Sequence, residues 1–460
     1  MLTSIQNRVR LVYSWQMVSS PLTGAANQRW LICALIFVLY ALGGHTFGFT
    51  QQTDVSADQA VAVRDAASPL RWLGFGVLMA TALPGLPWSR SLDRWVHPRL
   101  LACMIATFTW TALSFWWSDS TYLSIKTLIG TLLLWIGCAG IARQMTVEAL
   151  RLAALIYTSS ACLIGFCWEV VSGQWRPFAS DYRFCGTVVD PNAQGLACAV
   201  LAATLLSYSP RGQWLKMGRV AAIAAALSLL LLTQSRGAIM ALATSCLVVW
   251  GTRSTQTRRV MILGALCVPV FILSASLISP SADVARRMRS IVKLDRDTQA
   301  GRSLGSARSG VWETCITEAS KHPFVGFGYG AFWSEKRMED MQDTLGWTVT
   351  QSHCGYLELV LDIGLFGLAA FLASFVGALA IYWRRLRREP SESAVYGVSI
   401  LVLFLIGMLL ESVTATTYVT NVLALCLVAR EGLKTVHTPF AARAGNGLHL
   451  AASRIRSGAG

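Results

Sequence analysis

The chain has 460 residues, 54% of them hydrophobic and only 14% charged, with a formal net charge of +15. Soluble proteins carry about a quarter charged residues, so a soluble enzyme is excluded, and with no soluble basic domain the positive balance does not read as nucleic-acid binding. A mean hydropathy of +0.50 and repeated apolar runs describe a polytopic helical membrane protein, because each crossing takes roughly 20 apolar residues.

Residues 1–29 are mixed and basic, and no small-residue cleavage site follows the first apolar run near Trp30. This segment reads as a cytoplasmic N-terminal stretch ahead of a retained first span. Hydropathy then gives twelve candidate spans, near 30–49, 70–88, 100–117, 122–142, 150–171, 192–209, 214–232, 237–250, 260–279, 356–383, 395–412 and 415–430. The chain thus divides into spans one to nine over 30–279, a large loop over 280–355, spans ten to twelve over 356–430, and a basic tail over 431–460. The tail is rich in Gly, Ala, Ser and Arg and reads as disordered. The expected fold is all-α.

Orientation follows from Lys and Arg in the short loops. With the N-terminus cytoplasmic, that side holds Arg90, Arg94 and Arg99, then Arg143 and Arg151, Arg211 and Arg219, and Arg384 to Arg388. The opposite short loops hold only Arg64, Arg71, Lys126, Arg176, Arg183 and Arg236. Both termini are therefore expected to be cytoplasmic and the long loop to lie outside. Much of the positive charge is topology signal and attraction to anionic membrane lipids.

The outer charges are the informative ones, since topology does not require them. Lys126 lies about one turn inside the fourth span, where an ammonium either snorkels to the interface or has a partner in a polar cavity. Arg183, in DYRFCGTVVDPNAQG, either bridges a nearby Asp or faces a ligand. Arg236 sits in the tight connection TQSRGA between spans seven and eight, with Gly237 expected to allow the turn. An arginine fixed there suits phosphate, because its planar fork grips two oxygens. Of the twelve cysteines, most lie in apolar runs as small hydrophobes, whereas Cys185, Cys315 and Cys354 fall in polar loops where pairing is open.

The stretch from Ser279 to Gly355 is the only extended hydrophilic segment between hydrophobic runs. Helical spacing puts Arg308, Trp312, Cys315, Ile316 and Ala319 on one face, and the helix should stop before Pro323. GFGYGAFW, Gly326 to Trp333, lacks the strand and spacing of a nucleotide loop and reads as a tight turn packing aromatics. Ser352 is the expected N-cap of the tenth span, which puts His353 in its first turn. A helix N-terminus disfavours a charged imidazolium, and a general base acts from the neutral form. Cys315, His322, His353 and Cys354 match no usual metal-ligand spacing, so no metal and no cofactor are expected.

These segments together resemble a known family. SRGA at Ser235 to Ala238, RSGVW from Arg308, HPFVGFGYGAF at His322 to Phe332 and SHCGYLELVLDIGLFG at Ser352 to Gly367 are similar, in order and spacing, to the bacterial O-antigen ligase and polymerase superfamily of integral membrane glycosyltransferases. The family's common Asn after the histidine is Cys354 here. The resemblance implies an inner-membrane O-antigen ligase whose large periplasmic loop lies between spans nine and ten. It would move O-polysaccharide from undecaprenyl diphosphate to a sugar hydroxyl of lipid A–core at the periplasmic face. It maps the catalytic histidine to His353 and two essential arginines to Arg236 and Arg308. Lys126 and Arg183 are added as substrate-binding residues on electrostatic grounds alone. Diphosphate is a good leaving group that arginines can hold without a metal, so the expected transfer is inverting and metal-independent. The alternatives are an O-antigen or exopolysaccharide polymerase using the same donor and, in a different class, a twelve-span secondary transporter. Against the transporter stand the absent large central cytoplasmic loop and the absent internal repeat.

Overall fold

The computed structural model describes residues 25–43, 69–85, 93–179, 182–188, 190–252, 304–346, 349–412 and 419–437. In chain order the helices are α1 Ala25–Leu42, α2 Pro69–Ala82, α3 Pro98–Leu113, α4 Thr121–Gln144, α5 Val147–Val171, α6 Pro191–Ser207 and α7 Gln213–Thr233. They continue with α8 Arg236–Thr252, α9 Leu304–Ala319, α10 Glu335–Leu345, α11 Gly355–Arg388, α12 Glu392–Gly407 and α13 Val419–Gly432. Each expected span contains a helix over part or all of its described residues except the ninth, 260–279, which lies outside them, as do 280–303 and most of both termini. Among the described residues, five helices are long and apolar enough to cross a membrane: α3 with its 3-10 extension to Trp117, α4, α5, α7 and α11. Helices α6, α8 and α12 are apolar but shorter.

Local sequence sets the helix starts. Thr146 caps α5 by accepting from the Ala149 N–H at 3.1 Å. Asp190 caps α6 through the Asn192 and Ala193 N–H groups, with Pro191 in the first turn where its missing donor costs nothing. Burial then sorts the helices. Almost every side chain of α6, α12 and α13 is buried, the mark of helices apolar all round. On α7 only Ala226, Leu230 and Thr233 are buried, while Trp214, Val220 and Leu231 face outward. Exposed aromatics gather near both ends of the bundle, Trp30, Trp214 and Trp250 at one and Trp116, Tyr122 and Phe178 at the other, as interfacial aromatic belts do.

The two ends differ in charge. One is basic: Arg151 pairs with Glu392 at 2.7 Å, Arg385 grips Glu431 with both terminal nitrogens, and Arg219 donates to the Tyr208 carbonyl. Here β1, Asp93–Trp95, pairs antiparallel with β2, Thr435–His437, Asp93 opposite His437 and Trp95 opposite Thr435. Among the described residues, this short ribbon is the one departure from the all-α expectation. The opposite end carries α9, α10 and the turns around Arg183, Arg236 and His353.

The chain between α9 and α11 docks there by breaking a span. Helix α11 is interrupted at Gly364 (φ 67°, ψ −175°). The groups freed by the break are taken up by the loop. Phe327 and Gly328 N–H donate to the Leu361 and Asp362 carbonyls at 2.8 and 3.0 Å, and Leu365 N–H donates to the Pro323 carbonyl at 2.8 Å. The Trp110 indole covers the Ile363 carbonyl, and Trp117 holds the Val325 carbonyl, each at 2.9 Å. Broken backbone inside a span is tolerated only where protein satisfies it in this way. A side chain at Gly364 would lie 2.2 Å from the Phe324 backbone, in a region of backbone space that is essentially glycine-only. Gly364→Ala should therefore cost about 2 kcal/mol or more, read as a lower melting temperature of the purified protein and faster proteolysis between 323 and 333.

Candidate active site

His353 lies at the centre of this end, though not where the sequence puts it. The N-cap of α11 is Cys354, not Ser352, and His353 precedes the helix in a left-handed conformation, φ 53°. It is outside the first turn because Ser352 turns its hydroxyl to Glu358 instead of capping the helix. A left-handed residue other than glycine costs roughly 1–2 kcal/mol, and this one persists because its neighbours are fixed on both sides.

On one side, Ser352 donates its N–H and hydroxyl to the Glu358 carboxylate at 3.0 and 2.6 Å, while its carbonyl accepts from the Trp312 indole of α9 at 2.8 Å. On the other, the Gly355 N–H reaches the Met408 and Glu411 carbonyls, at 2.7 and 3.2 Å, in the turn after α12. Glu358 is 4% exposed and also accepts from the Trp333 indole and, at 3.4 Å, from Ser412. A buried carboxylate is tolerable only when so satisfied, and this one ties the glycine-rich loop, the His353 turn and the end of α12 into a unit.

The rest of the polar segment forms a small core above it. Val311, Trp312, Cys315, Phe327, Phe332, Trp333, Met338 and Met341 pack together. The inward face of α9 therefore carries Val311, Trp312, Cys315 and Ala319, while Ile316, expected on that face, is exposed; the core meets the face one residue round from the expected stripe. The helix ends at Ala319, before Pro323 as expected. Left-handed glycines at 326, 328 and 330 shape the aromatic turn. Arg337 clasps it, pairing with Asp119 and lying 4.4 Å over the Phe327 ring.

The start of α8, which Arg236 opens, meets the turn after α12. The tight connection before Arg236 turns at Gln234, φ 52°, and not at Gly237. Gly237 instead lets α8 approach the turn after α12: a Cβ there would lie 3.1 Å from Leu410, the residue before Glu411. Arg236 opens α8 as an exposed residue at that junction. Arg308 lies one helical turn before Trp312 on α9, the helix that meets the His353 turn through the Trp312 indole.

Arg183 stands beside Arg236. Its Nε donates to the Thr233 carbonyl and its Nη2 to Asn192 Oδ1, both at 3.0 Å, so it joins the end of α7 to the start of α6. The turn that carries it is held by buried Glu169, which accepts from the Tyr182 hydroxyl and from the Cys185 and Gly186 N–H groups. That carboxylate pushes the Tyr182 phenol pKa well up, after burial itself. Lys126 lies on α4 next to Thr127, which packs against Gly330, and so borders the glycine-rich loop rather than the His353 turn. Cys185, Cys315 and Cys354 are free thiols, and burial holds the Cys315 thiol far above its usual pKa. Among the described residues, no group of three or more His, Cys, Asp or Glu side chains is arranged to hold a metal ion.

The structure thus sets the His353 turn and the start of α8 against the turn after α12, with α9 meeting the His353 turn through Trp312 and Arg183 bonded to the end of α7. Sequence reasoning missed Glu169, Glu358 and Glu411. Their signal was available: carboxylates inside apolar runs, in FCWEVV, GYLELV and MLLESV, are costly there and have a reason to exist.

The amino-acid sequence matches the O-antigen ligase family over residues 221–372. It is also similar to the exopolysaccharide production protein ExoQ of Rhizobium meliloti, 24% identical over 314 residues that cover 65% of this chain and 70% of that protein. The matched family segment runs from within α7 through the His353 turn and past the break in α11.

Because Glu358 holds the His353 turn by hydrogen bonds and not by shape, Glu358→Leu should strand the Ser352 and Trp333 donors. The expected loss is about 2–3 kcal/mol, with Trp312→Phe costing about 1 kcal/mol through the Ser352 carbonyl; equal melting temperatures for all three proteins would contradict this.

Proposed function

Taking the chain as a member of the O-antigen ligase and polymerase superfamily, a family of membrane glycosyltransferases, we propose that it transfers a glycan from undecaprenyl diphosphate to a sugar hydroxyl of lipid A–core. The reading rests on one observation: the His353 turn, the start of α8 with Arg236, and the helix bearing Arg308 converge through the Trp312–Ser352, Gly237–Leu410 and Gly355–Glu411 contacts.

In this reading His353 takes the proton of the acceptor hydroxyl as its oxygen bonds to the anomeric carbon. The bond from that carbon to the phosphate oxygen breaks, and Arg236 and Arg308 hold the departing diphosphate. Attack opposite the leaving group inverts the anomeric centre. Arg183 extends the positive field around the donor, while Lys126, beside the glycine-rich loop, lies away from the His353 turn. The basic end faces the cytoplasm by the positive-inside rule, so the site faces the periplasm of the inner membrane, where no nucleotide is needed because the donor carries its own leaving group.

A second reading, polymerisation onto another lipid-linked glycan, is favoured by the likeness to an exopolysaccharide production protein. It uses the same donor and the same residues, and differs only in the acceptor.

Purified protein reconstituted with undecaprenyl-diphosphate glycan and rough lipopolysaccharide should yield laddered lipopolysaccharide on a gel. His353→Ala should lower the rate by about 10²-fold or more, as should Arg236→Ala and Arg308→Ala. Arg236→Lys should restore little, since an ammonium lacks the fork, and EDTA should have no effect. Lengthened lipid-linked glycan with unmodified lipopolysaccharide identifies the polymerase; neither product overturns both readings.

A further inference from the structure

A histidine that acts as a base needs its two ring nitrogens told apart, and the structure holds a group suited to do so. The Glu411 carboxylate, in the turn after α12, has its Oε2 3.6 Å from His353 Nδ1, with the glutamate side chain 7% and the histidine 25% exposed. The same Nδ1 lies 3.4 Å from Gln351 Nε2. These neighbours ask for opposite tautomers. A carboxylate accepts, which requires a proton on Nδ1 and leaves Nε2 as the base. An amide N–H donates, which would put the proton on Nε2 and remove the base from the open edge.

The carboxylate has the stronger claim. A hydrogen bond to an ionised acceptor is roughly twice as strong as one between neutral groups, and Glu411 is buried where such a bond is strengthened further. The amide of Gln351 can also turn its oxygen inward, because its N and O are interchangeable by rotation. Glu411 is fixed from several directions: its N–H donates to the Gly407 carbonyl, its own carbonyl accepts from Gly355, and Leu410 before it packs against Gly237. A separation of 3.6 Å is longer than a working hydrogen bond, but such bonds are often long without substrate and tighten in the reacting complex. Glu358, in the first turns of α11, also interacts with His353, and Cys354 follows the histidine in the chain.

We propose that Glu411 is the positioning residue for His353: it holds the proton on Nδ1 so that Nε2 takes the acceptor's proton, and it pairs with the imidazolium that results. The proton passes from the acceptor hydroxyl to Nε2 and then to solvent, while the glycosidic bond forms and the sugar–phosphate bond breaks. This rests on the glycan-transfer reading for its reaction, but the tautomer itself does not depend on that reading.

Two measurements on the full chain in lipid nanodiscs test it. In protein labelled with 15N-histidine, with the His353 signals assigned by their loss in His353→Ala, the wild type should show a protonated Nδ1. Glu411→Gln should abolish that preference, and Glu411→Asp should keep most of it. In the transfer assay, Glu411→Gln should lower kcat by about 10²-fold, the scale of a 1 Å misplacement, with KM little changed and part of the rate recovered in Glu411→Asp. A wild-type Nε2–H tautomer overturns the proposal, even if Glu411→Gln fails to fold. So does a Glu411→Gln enzyme with the wild-type kcat beside an inactive His353→Ala. A Glu411-dependent Nδ1 proton in a protein that transfers no glycan would uphold the pair and overturn the reaction assigned to it.

Discussion

The Glu358 carboxylate is the interaction on which the rest of this end depends. It lies one turn into a span, almost wholly buried, where an unsatisfied carboxylate would cost several kcal/mol. Donors from three separate segments meet it: Trp333 of the glycine-rich loop, Ser352 before α11, and Ser412 after α12. None of these segments is long enough to hold its own shape, and the carboxylate makes them one structure. The left-handed His353 is a consequence, since its neighbours are pinned before its own backbone is chosen.

The break at Gly364 serves the same end from the other side. A continuous α11 would offer the polar segment only side chains to dock on. By opening at one glycine, the helix exposes carbonyl and amide groups that the loop 323–328 matches one for one, much as a strand meets a sheet edge. A hydrophilic loop can then sit at the head of an apolar bundle without leaving buried polar groups unpaired. Discontinuous spans of this kind are also where membrane proteins build sites for charged substrates.

Much of this was legible in the sequence. Spans announce themselves because the bilayer demands about 20 apolar residues, and the basic loops segregate to one end as the positive-inside rule requires. The SRGA turn and the HPFVGFGYG segment were visible as polar interruptions, the second with glycine at its bends. What stayed hidden was set by tertiary contacts. Nothing local makes Ser352 decline the cap of α11; that choice belongs to Glu358 six residues on. Gln234, not Gly237, takes the left-handed position, because Gly237 is needed where α8 meets Leu410. Ile316 faces outward because the core over α9 is built by Phe332 and Trp333, far along the chain. Glu411 could not be paired with His353 from a separation of 58 residues. The expected ninth span, 260–279, lies outside the described residues.

In the proposed reaction, the end of the bundle that carries His353, Arg236 and Arg308 receives a diphosphate. The most direct measurement is an experimental structure of the protein in nanodiscs with a non-hydrolysable lipid-diphosphate glycan analogue. Phosphate oxygens are expected within about 3 Å of the Arg236 and Arg308 guanidinium nitrogens, with the anomeric carbon on the His353 side. Density for the diphosphate at the opposite, arginine-rich end, or between helices away from the His353 turn, would contradict it.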